Sequence, residues 1–455
     1  MPDTIAAIAT IQAPSAIGIV RLTGPDTRRI LDGVFAPANG RPMSAQTPRK
    51  LVFGRALDRS GGVIDEALAV LFPGPNSYTG EDCAEIHCHG SPVVLDEVLA
   101  AAFARGARQA RGGEFTQRAF LSGRMDLIQA ESVADLIDAE SAGAARNAVG
   151  QLQGRMSRSV GGIYDALMDV VSRFYAIVDY PDEEIEPLQQ AQIEQTLAES
   201  AERLDALLAT FSRGRLLKSG VPAVILGKPN AGKSSLLNAL LGYDRAIVTD
   251  IAGTTRDTVE EKVLVGSVLL RLCDTAGIRD AADTVERLGV ERAQQAAQRA
   301  ELALLVLDGS APLTREDEEA IAAARRARRM LVLVNKADLP QVLDTAALRV
   351  RFGEVIPLSA RSGAGVDALC RAVEELFAGG ETPRGELLTN ARQAESAQRA
   401  LDAVRRAEQA LRIGLSPDAV LTDAEEALEA LAEFSGKRVR DDLVATIFSR
   451  FCVGK

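Results

Sequence analysis

The sequence predicts a multidomain protein with an α+β domain at the N-terminus. An α-helical domain follows it in the chain, and an α/β domain is inserted into that helical domain. Residues 1–120 alternate short apolar runs with turn residues, which is typical of strands mixed with helices. Two stretches with apolar residues at helical spacing then flank an interval of apolar strands and helices. The 455 residues suit roughly three domains. We expect these domains to span 1–120, 121–217 together with 381–455, and 218–380.

Composition limits the classes of function. The net charge of −11 excludes a strongly basic nucleic-acid coat, although a local patch or a basic partner could still contact RNA phosphates. Two basic clusters occur, Arg325–Arg329 and Lys437–Arg440, and the simplest interpretation of the first is a solvated helix face. The five cysteines are irregularly spaced, which argues against a disulfide framework and favours the cytoplasm. No apolar run is long enough to predict a membrane span, and the N-terminus does not resemble a signal peptide.

The individual elements follow from local patterns. Ile17–Leu22 and Ala67–Phe72 are predicted strands, a turn is expected at Pro73–Asn76, and a helix is expected over Val93–Ala104. The stretch Gln192–Phe211 has apolar residues at helical spacing. Helical periodicity returns after Gly380, where Ser416 and Pro417 suit the N-cap and the first residue of a helix.

One motif predicts phosphate binding. The apolar strand Val221–Leu226 is followed by Gly227–Ser234, which reads G-x-x-x-x-G-K-S, and then by a helix over Ser235–Leu241. In such a loop the glycines let backbone N–H groups surround a phosphate, Lys233 neutralises the outer phosphates and Ser234 binds Mg²⁺.

Further motifs in the same order predict that the nucleotide is GTP. Thr254–Thr255 can complete a magnesium shell, and Asp274–Gly277 (DTAG) can approach the metal and the γ-phosphate. Asn335–Asp338 (NKAD) follows the predicted strand Met330–Val334, and its aspartate can accept the guanine N–H donors that adenine lacks. Ser359–Arg361 follows the predicted strand Val355–Leu358 and can cover the base from the other side.

Two departures from the Ras pattern concern hydrolysis. The position after DTAG, where Ras-type proteins carry a water-orienting Gln, is Ile278, so another residue must orient the water. Glu286 is the best nearby candidate, although spacing alone favours an ordinary exposed helix carboxylate. No arginine is placed as a finger in cis, and the Asn230 side chain could instead bind a monovalent cation.

These residues together resemble the MnmE/TrmE family of tRNA-modification GTPases, and the resemblance covers the whole chain. The blocks that carry it are DTIAAIAT at the start, PGPNSYTGED at Pro73–Asp82, GGEFTQRAFLSGRMDLIQAE at Gly112–Glu131, the G-domain motifs, and FCVGK at Phe451–Lys455.

The resemblance implies an N-terminal folate-binding and dimerisation domain, a helical domain in two chain pieces, and an inserted Ras-like P-loop G domain. It implies a homodimer whose G domains pair when GTP and K⁺ bind. It places K⁺ at Asn230, Thr249, Ile251 and Thr254, Mg²⁺ at Ser234 and Thr255, and catalysis at Glu286, Lys233 and Thr255. The residues expected to bind GTP are Asn230, Ala231, Gly232, Lys233, Ser234, Ser235, Thr249, Asp250, Ile251, Ala252, Gly253, Thr254, Thr255, Asp274, Thr275, Ala276, Gly277, Asn335, Lys336, Ala337, Asp338, Ser359, Ala360 and Arg361.

The family also implies one-carbon chemistry. Its members act with the flavoprotein MnmG, in a heterotetramer, on C5 of the wobble uridine of tRNA, with FAD and NADH used by the partner. The carbon comes from 5,10-methylene-tetrahydrofolate, and Arg21, Glu85, Arg124 and Lys455 match contacts of a bound tetrahydrofolate derivative (5-formyl or 5,10-methylene). Relatives often have Lys at position 124, and Arg keeps the charge but changes the geometry.

Several alternatives stay open. Strand alternation would place Cys83, Glu85, His87 and His89 on one face, which also invites a zinc interpretation, although the spacing matches no common zinc pattern. Cys452 could be a nucleophile or a small packing residue. The whole chain could be a potassium-dependent regulatory GTPase without one-carbon chemistry, such as an Era/Der-like ribosome-assembly switch, or its folate site could be only structural.

Overall fold

The computed structural model describes residues 3–179, 187–243, 261–273, 294–377, 385–437, 447–448, 451 and 453–454. The chain divides into two compact units, each formed from separate stretches. The first unit contains residues 1–134, 150–205 and 395–455, and the second contains residues 135–149 and 206–394. Within these described ranges, no helix is both long and apolar enough to cross a membrane.

The first unit contains a seven-stranded mixed sheet. Its spatial order is β3-β4-β5-β6-β2-β1-β7, and only the β1–β7 pair is parallel. The strands are β1 (Ile5–Ile8), β2 (Ser15–Thr23), β3 (Phe35–Pro37), β4 (Val52–Leu57), β5 (Val63–Phe72), β6 (Cys83–Gly90) and β7 (Arg108–Gln109). Helices α1 (Thr27–Val34) and α2 (Pro92–Ala104) pack on the sheet, with a 3₁₀ turn at Met43–Ala45.

Alternation along β6 decides which side chains face the core. Ala84, Ile86 and Cys88 are buried in one hydrophobic cluster with the buried side chains of α1 and α2. Glu85 and His87 lie on the other face and stay half-buried. Because successive side chains of a strand point to opposite faces, Glu85 and His87 lie on the side of the sheet away from these helices.

Six helices follow the sheet in the chain: α3 (Glu114–Leu121), α4 (Leu127–Ile137), α5 (Ala142–Leu152), α6 (Arg155–Asp179), α7 (Pro187–Ala209) and α8 (Phe211–Ser219). The helix predicted over 192–211 therefore ends early, and Phe211 begins a new helix. The Thr210 hydroxyl donates to Leu207 O and accepts the Leu388 N–H at 3.0 Å, while Gly214 packs so closely that a Cβ would lie 2.0 Å from Leu388 O. The contact with Leu388, which is far along the chain, therefore determines where the helix is interrupted.

The second unit contains a six-stranded sheet in the order β13-β12-β11-β8-β10-β9, parallel except for β9. Its strands are β8 (Val221–Leu226), β9 (Glu261–Val265), β10 (Val268–Leu272), β11 (Leu302–Asp308), β12 (Arg329–Asn335) and β13 (Val355–Pro357). The accompanying helices are α9 (Lys233–Tyr243), α10 (Arg315–Ala324), α11 (Thr345–Phe352) and α12 (Val366–Phe377). The central strand β11 is buried along its whole length, as expected for a parallel sheet with both faces covered.

Two long helices follow, α13 (Ala391–Arg412), most of which lies in the first unit, and α14 (Pro417–Ser435), which lies wholly within it. Helix α14 begins at Pro417 after the N-cap Ser416, as predicted, and it packs against α6. The predicted fold class is confirmed: an α+β N-terminal region, helical segments on both sides, and an α/β P-loop sheet between them.

Candidate functional site

Three of the five predicted nucleotide motifs lie among the described residues, and these three meet at one edge of the six-stranded sheet. Gly227–Ser234 follows β8, Asn335–Asp338 ends and follows β12, and Ser359–Arg361 follows β13. These strands are parallel, so their carboxyl ends lie along the same edge. In open α/β sheets, ligands bind at this edge.

Two glycines give the loop after β8 its close packing. A Cβ at Gly227 would lie 2.3 Å from Val306 O, and a Cβ at Gly232 would lie 2.1 Å from Asn335 Nδ2. Gly232 also has φ +98°, a conformation that L side chains rarely adopt. The loop therefore needs glycine at both positions, because neighbouring atoms occupy the space that a side chain would take.

Lys233, the first residue of α9, is folded back over this loop. Its ammonium donates to Gly227 O and to Lys228 O, both at 2.9 Å. Burial lowers the pKa of Lys233, because the charged form loses solvation. A phosphate in the loop would offset that cost by supplying a negative partner.

Asn335 joins the phosphate loop to the predicted guanine loops. Its Nδ2 donates to Ala231 O at 2.9 Å, and its Oδ1 accepts the Ala360 N–H at 2.9 Å. The side chain is buried, with 2% of its surface exposed. Three separate chain segments are therefore held by a single amide group.

The acidic residue expected to select guanine is poised as an ionised acceptor. The Ser359 hydroxyl donates to Asp338 Oδ1 at 2.6 Å and lowers the pKa of that carboxyl. Beside it, Lys336 adopts φ +64° and pairs with Asp308 Oδ2 at 2.7 Å. Burial raises the pKa of Asp308, but hydrogen bonds from Lys336 and Ser310 lower it overall. Asp338 therefore remains charged and able to accept two N–H donors.

A buried ion pair that the sequence analysis missed anchors the phosphate loop. Lys228 Nζ lies 2.8 Å from Asp317 Oδ2, and the side chains are 11% and 1% exposed. The same oxygen accepts the Thr314 N–H and hydroxyl at the start of α10. Within the described part of the chain, Asp317 Oδ1 is buried without a hydrogen-bond partner. Removing Lys228 would therefore leave a buried, poorly compensated carboxylate.

A second polar site lies on the sheet of the first unit. Arg21 on β2 is directly opposite Glu85 on β6, and its Nε and Nη2 donate to Glu85 Oε1 at 3.0 and 2.8 Å. The guanidinium lies 5.6 Å from the centre of the Tyr78 ring and 5.8 Å from that of Phe115. Two of the four residues predicted to bind folate, Arg21 and Glu85, are thus in contact, and the Arg21 guanidinium lies over aromatic rings.

The C-terminal segment and Arg124 reach the same region of the first unit. Arg21 Nη1 lies 3.4 Å from Gly454 O, and Val453 forms an antiparallel bridge with Gly112. Gly454 has φ +99°, and a Cβ there would lie 2.4 Å from Ile8 O. Arg124 Nε donates to Ser77 O at 3.0 Å, in the segment that carries Tyr78.

The residues of the zinc alternative have separate partners. His87 Nε2 lies 3.2 Å from Glu85 Oε2, whereas His89 Nδ1 lies 2.9 Å from Asp65 Oδ1. Cys83 is buried and contacts the hydroxyls of Thr23 and Thr79. Over the residues that the structure describes, no group of three or more His, Cys, Asp or Glu side chains is arranged to hold a metal ion.

Many predicted site residues fall outside the described part of the chain. They are Thr249, Asp250, Ile251, Ala252, Gly253, Thr254, Thr255, Asp274, Thr275, Ala276, Gly277, Glu286, Cys452 and Lys455. Asn230 is described: it is exposed at the tip of the phosphate loop with φ +60°. An exposed amide oxygen there suits a cation ligand.

Comparison with known proteins identifies the family. Residues 127–452 match the family described as the MnmE helical domain, and residues 4–124 match the GTP-binding protein TrmE N-terminus. The tRNA modification GTPase MnmE of Roseiflexus sp. (strain RS-1) is 45% identical over 465 residues, covering 100% of this chain and 99% of that protein. The protein of the same name from Symbiobacterium thermophilum is 42% identical over 455 residues, again covering 100% and 99%.

Similarity to solved structures is weaker. The G domain of the T. maritima FeoB iron transporter covers 35% of this chain at 22% identity, with a TM-score of 0.27, which carries no argument. The full-length relatives and the two family matches are decisive. This chain belongs to the MnmE family of tRNA modification GTPases, and it is an enzyme that hydrolyses GTP.

Proposed function

We propose that the chain is the GTP-hydrolysing component of a complex with the flavoprotein MnmG that modifies tRNA. The complex adds a carboxymethylaminomethyl or aminomethyl group at C5 of the wobble uridine. Relatives named for tRNA modification, aligned over the whole chain, support the RNA substrate. The protein works in the cytoplasm as a homodimer through its N-terminal domain, residues 1–120. The helical domain (121–217 with 381–455) carries the G domain (218–380).

The folate part of the proposal rests on the Arg21–Glu85 pair. Glu85 Oε1 is occupied by Arg21, while Oε2 faces His87, so the carboxylate keeps acceptor capacity toward the half-exposed face. A pterin ring presents N–H donors that suit a carboxylate, and the glutamate tail of folate suits Arg124 or Lys455. Tyr78 and Phe115 supply an aromatic floor beneath the Arg21 guanidinium. The bound tetrahydrofolate derivative would supply the transferred carbon, while FAD and NADH act on the MnmG side.

The GTP part assigns roles to residues around the phosphate loop. Lys233 exchanges its two carbonyl partners for phosphate oxygens, and Asp338 accepts the guanine N–H donors. Asn230, Thr249, Ile251 and Thr254 would hold K⁺, which would supply positive charge where an arginine finger would otherwise act. Ser234 and Thr255 would hold Mg²⁺, and Glu286 would orient the attacking water.

The folate site can be tested by titrating 5-formyl-tetrahydrofolate into the purified full chain in a calorimeter. Glu85→Gln keeps the shape and removes the charge, and a hydrogen bond to a charged group is worth about 1.5–3 kcal/mol. We expect an affinity loss of about 10- to 150-fold. Asp65→Asn is the matched control, because Asp65 pairs with His89 as Glu85 pairs with His87. Equal losses in both variants would reject the assignment of Glu85.

The cation site can be tested by replacing K⁺ with Na⁺ during GTP turnover. The proposal predicts slower hydrolysis and weaker pairing of G domains in Na⁺, and loss of the cation preference in Asn230→Ala. Indifference of the wild type to the cation would remove the role of Asn230. Potassium-dependent turnover without folate binding would instead favour the regulatory, ribosome-assembly type of GTPase.

A further inference from the structure

A cavity of about 550 Å³ lies in the second unit, away from the nucleotide loops. It is lined by Val221, Val268 and Arg329, which are the first residues of β8, β10 and β12. Glu301, just before β11, also lines it. These positions are at the amino ends of parallel strands, whereas the phosphate and guanine loops follow the carboxyl ends. The cavity is therefore at the opposite edge of the sheet from the GTP site.

The cavity concentrates positive charge in an acidic chain. Five arginines line it, namely Arg146, Arg213, Arg215, Arg328 and Arg329, and Glu301 is the one acidic residue among its lining residues. The chain as a whole has a net charge of −11. The volume falls within the range of small-ligand sites, about 300–1,000 Å³. Such an excess of guanidinium groups around a concavity is suited to an anionic ligand.

Contacts of the guanidinium groups explain how they are held at the cavity wall. Arg328 lies 3.3 Å and Arg215 lies 3.9 Å from Glu301 Oε1, so two cations share one half-buried carboxylate. Arg329 donates to Leu376 O and stacks 4.8 Å from the centre of the Phe377 ring. One carboxylate shared by two arginines cannot neutralise both, and Arg329 is oriented by a carbonyl and a ring that carry no charge.

The basic cluster Arg325–Arg329 is thereby divided into two parts. Arg325 lies over the Phe352 ring at 5.7 Å, and neither Arg325 nor Arg326 lines the cavity. Arg328 and Arg329 do line it. The sequence interpretation of the cluster as a solvated helix face is wrong, because α10 ends at Ala324 and β12 begins at Arg329, so none of these arginines lies in a helix. The second part of the cluster joins Arg146 on α5 and Arg215 on α8 at one concave surface.

We propose that this cavity binds phosphate groups, either of the RNA backbone or of a free phosphorylated molecule. Guanidinium groups recognise phosphate through paired hydrogen bonds, and arginine is favoured over lysine where such planar recognition matters. An acidic GTPase that acts on RNA needs a local basic surface, because the phosphate backbone dominates affinity for nucleic acid. The RNA arm of the proposal rests on the proposed function, whereas the free-phosphate arm does not.

The test uses the full chain saturated with GDP, so that the GTP site is filled. Binding of unmodified tRNA and of inorganic pyrophosphate is measured in parallel for three proteins. The cavity variant is Arg146→Gln with Arg328→Gln. The control variant is Arg326→Gln with Arg349→Gln, which removes the same charge from exposed arginines outside the cavity. Thermal melting checks that each variant folds, and Arg146→Lys with Arg328→Lys replaces the cavity variant if it does not.

We expect the cavity variant to bind tRNA or pyrophosphate about tenfold more weakly than the wild type. The slope of log K against log salt should become shallower by about 1 to 2, since each phosphate contact contributes about one unit. Loss for tRNA alone identifies the RNA backbone as the source, and loss for pyrophosphate alone identifies a small molecule. Lysine variants should bind less tightly than wild type but retain the salt slope. Equal behaviour of the cavity and control variants, or no binding of either probe to the wild type, would overturn the proposal. The cavity variant should still bind 5-formyl-tetrahydrofolate like the wild type, so failure of the cavity proposal and failure of the proposed function can be told apart.

Discussion

Replacing Asn335 by alanine should weaken nucleotide binding by about two orders of magnitude, although Asn335 is not expected to carry out the chemistry. The side chain makes two hydrogen bonds of 2.9 Å, one to Ala231 O in the phosphate loop and one from the Ala360 N–H in a guanine loop. Alanine would remove both bonds and separate these two loops.

The magnitude follows from burial. A typical hydrogen bond contributes about 1 kcal/mol net, but a buried partner left unsatisfied costs about 1–3 kcal/mol. Asn335 is 2% exposed, and the alanine variant would leave the Ala231 carbonyl and the Ala360 N–H without this partner. The expected cost is about 2–4 kcal/mol, and if it falls on the binding-competent loop arrangement, affinity drops about 30- to 800-fold.

Equilibrium binding of a fluorescent GDP analogue measures this effect. Gln341→Ala is the matched control, because Gln341 is exposed and its amide also makes two hydrogen bonds, to Lys336 O at 2.8 Å and to Leu339 O at 2.9 Å. We expect the control to stay within about threefold of wild type, since water replaces exposed hydrogen bonds.

Asn335→Asp separates the two hydrogen bonds. Aspartate keeps an acceptor for the Ala360 N–H but places a second acceptor against Ala231 O, so it should bind GDP no better than the alanine variant. Affinity in Asn335→Ala close to that of Gln341→Ala would refute the view that one buried amide orders the nucleotide loops.

Three other predictions concern charged groups. Lys233→Ala should abolish GTP turnover, and normal turnover would reject its phosphate role. Lys228→Met should destabilise the second unit by about 3–5 kcal/mol through the uncompensated Asp317 carboxylate, and Lys228→Arg should restore much of the loss in calorimetric unfolding. Burial raises the pKa of Glu114, but Arg108 and the Arg111 N–H lower it overall, to about 2 from 4.5. Its stabilisation is therefore complete above pH about 4.5 and is lost as the pH falls toward about 2, so Arg108→Gln should reduce the acid sensitivity of unfolding over that range.

Local motifs correctly predicted a strand, a loop and a helix around the phosphate-binding motif. The strand Val221–Leu226 and the loop that follows it are found where the motif placed them, because phosphate binding constrains consecutive residues. Strand alternation also gave the correct face for Glu85 and His87. Both features are determined by residues that are close together in the chain, so they can be predicted from the sequence alone.

Contacts between distant segments could not be predicted. The Lys228–Asp317 pair joins residues 89 positions apart, and Asp317 looks like an ordinary helix N-terminal carboxylate in the sequence. Asp308, which pairs with Lys336 beside the guanine loop, could have been identified from the sequence. It is an acidic residue that ends a fully apolar strand at the carboxyl edge of the sheet. The helix break at Thr210 had no such signal, because Leu388, far along the chain, determines it.

Pairing of α6 with α14 has a consequence for synthesis of the protein. Buried apolar residues of α6, including Val160, Leu167 and Phe174, pack in the first unit, where α14 is a neighbour. Translation makes residues 206–394, most of the second unit, between these two helices. The second unit can therefore complete its sheet on the ribosome while α6 still waits for α14.

Exposure of α6 during this interval makes the nascent chain vulnerable. A transiently uncovered apolar helix is prone to aggregate or to recruit a chaperone, and the interval lengthens with any pause in translating the second unit. Early folding of that unit shortens the effective loop between α6 and α14, which lowers the entropy cost of their pairing. Codon speed across residues 206–394 is thus expected to affect the yield of soluble protein more than codon speed after α14.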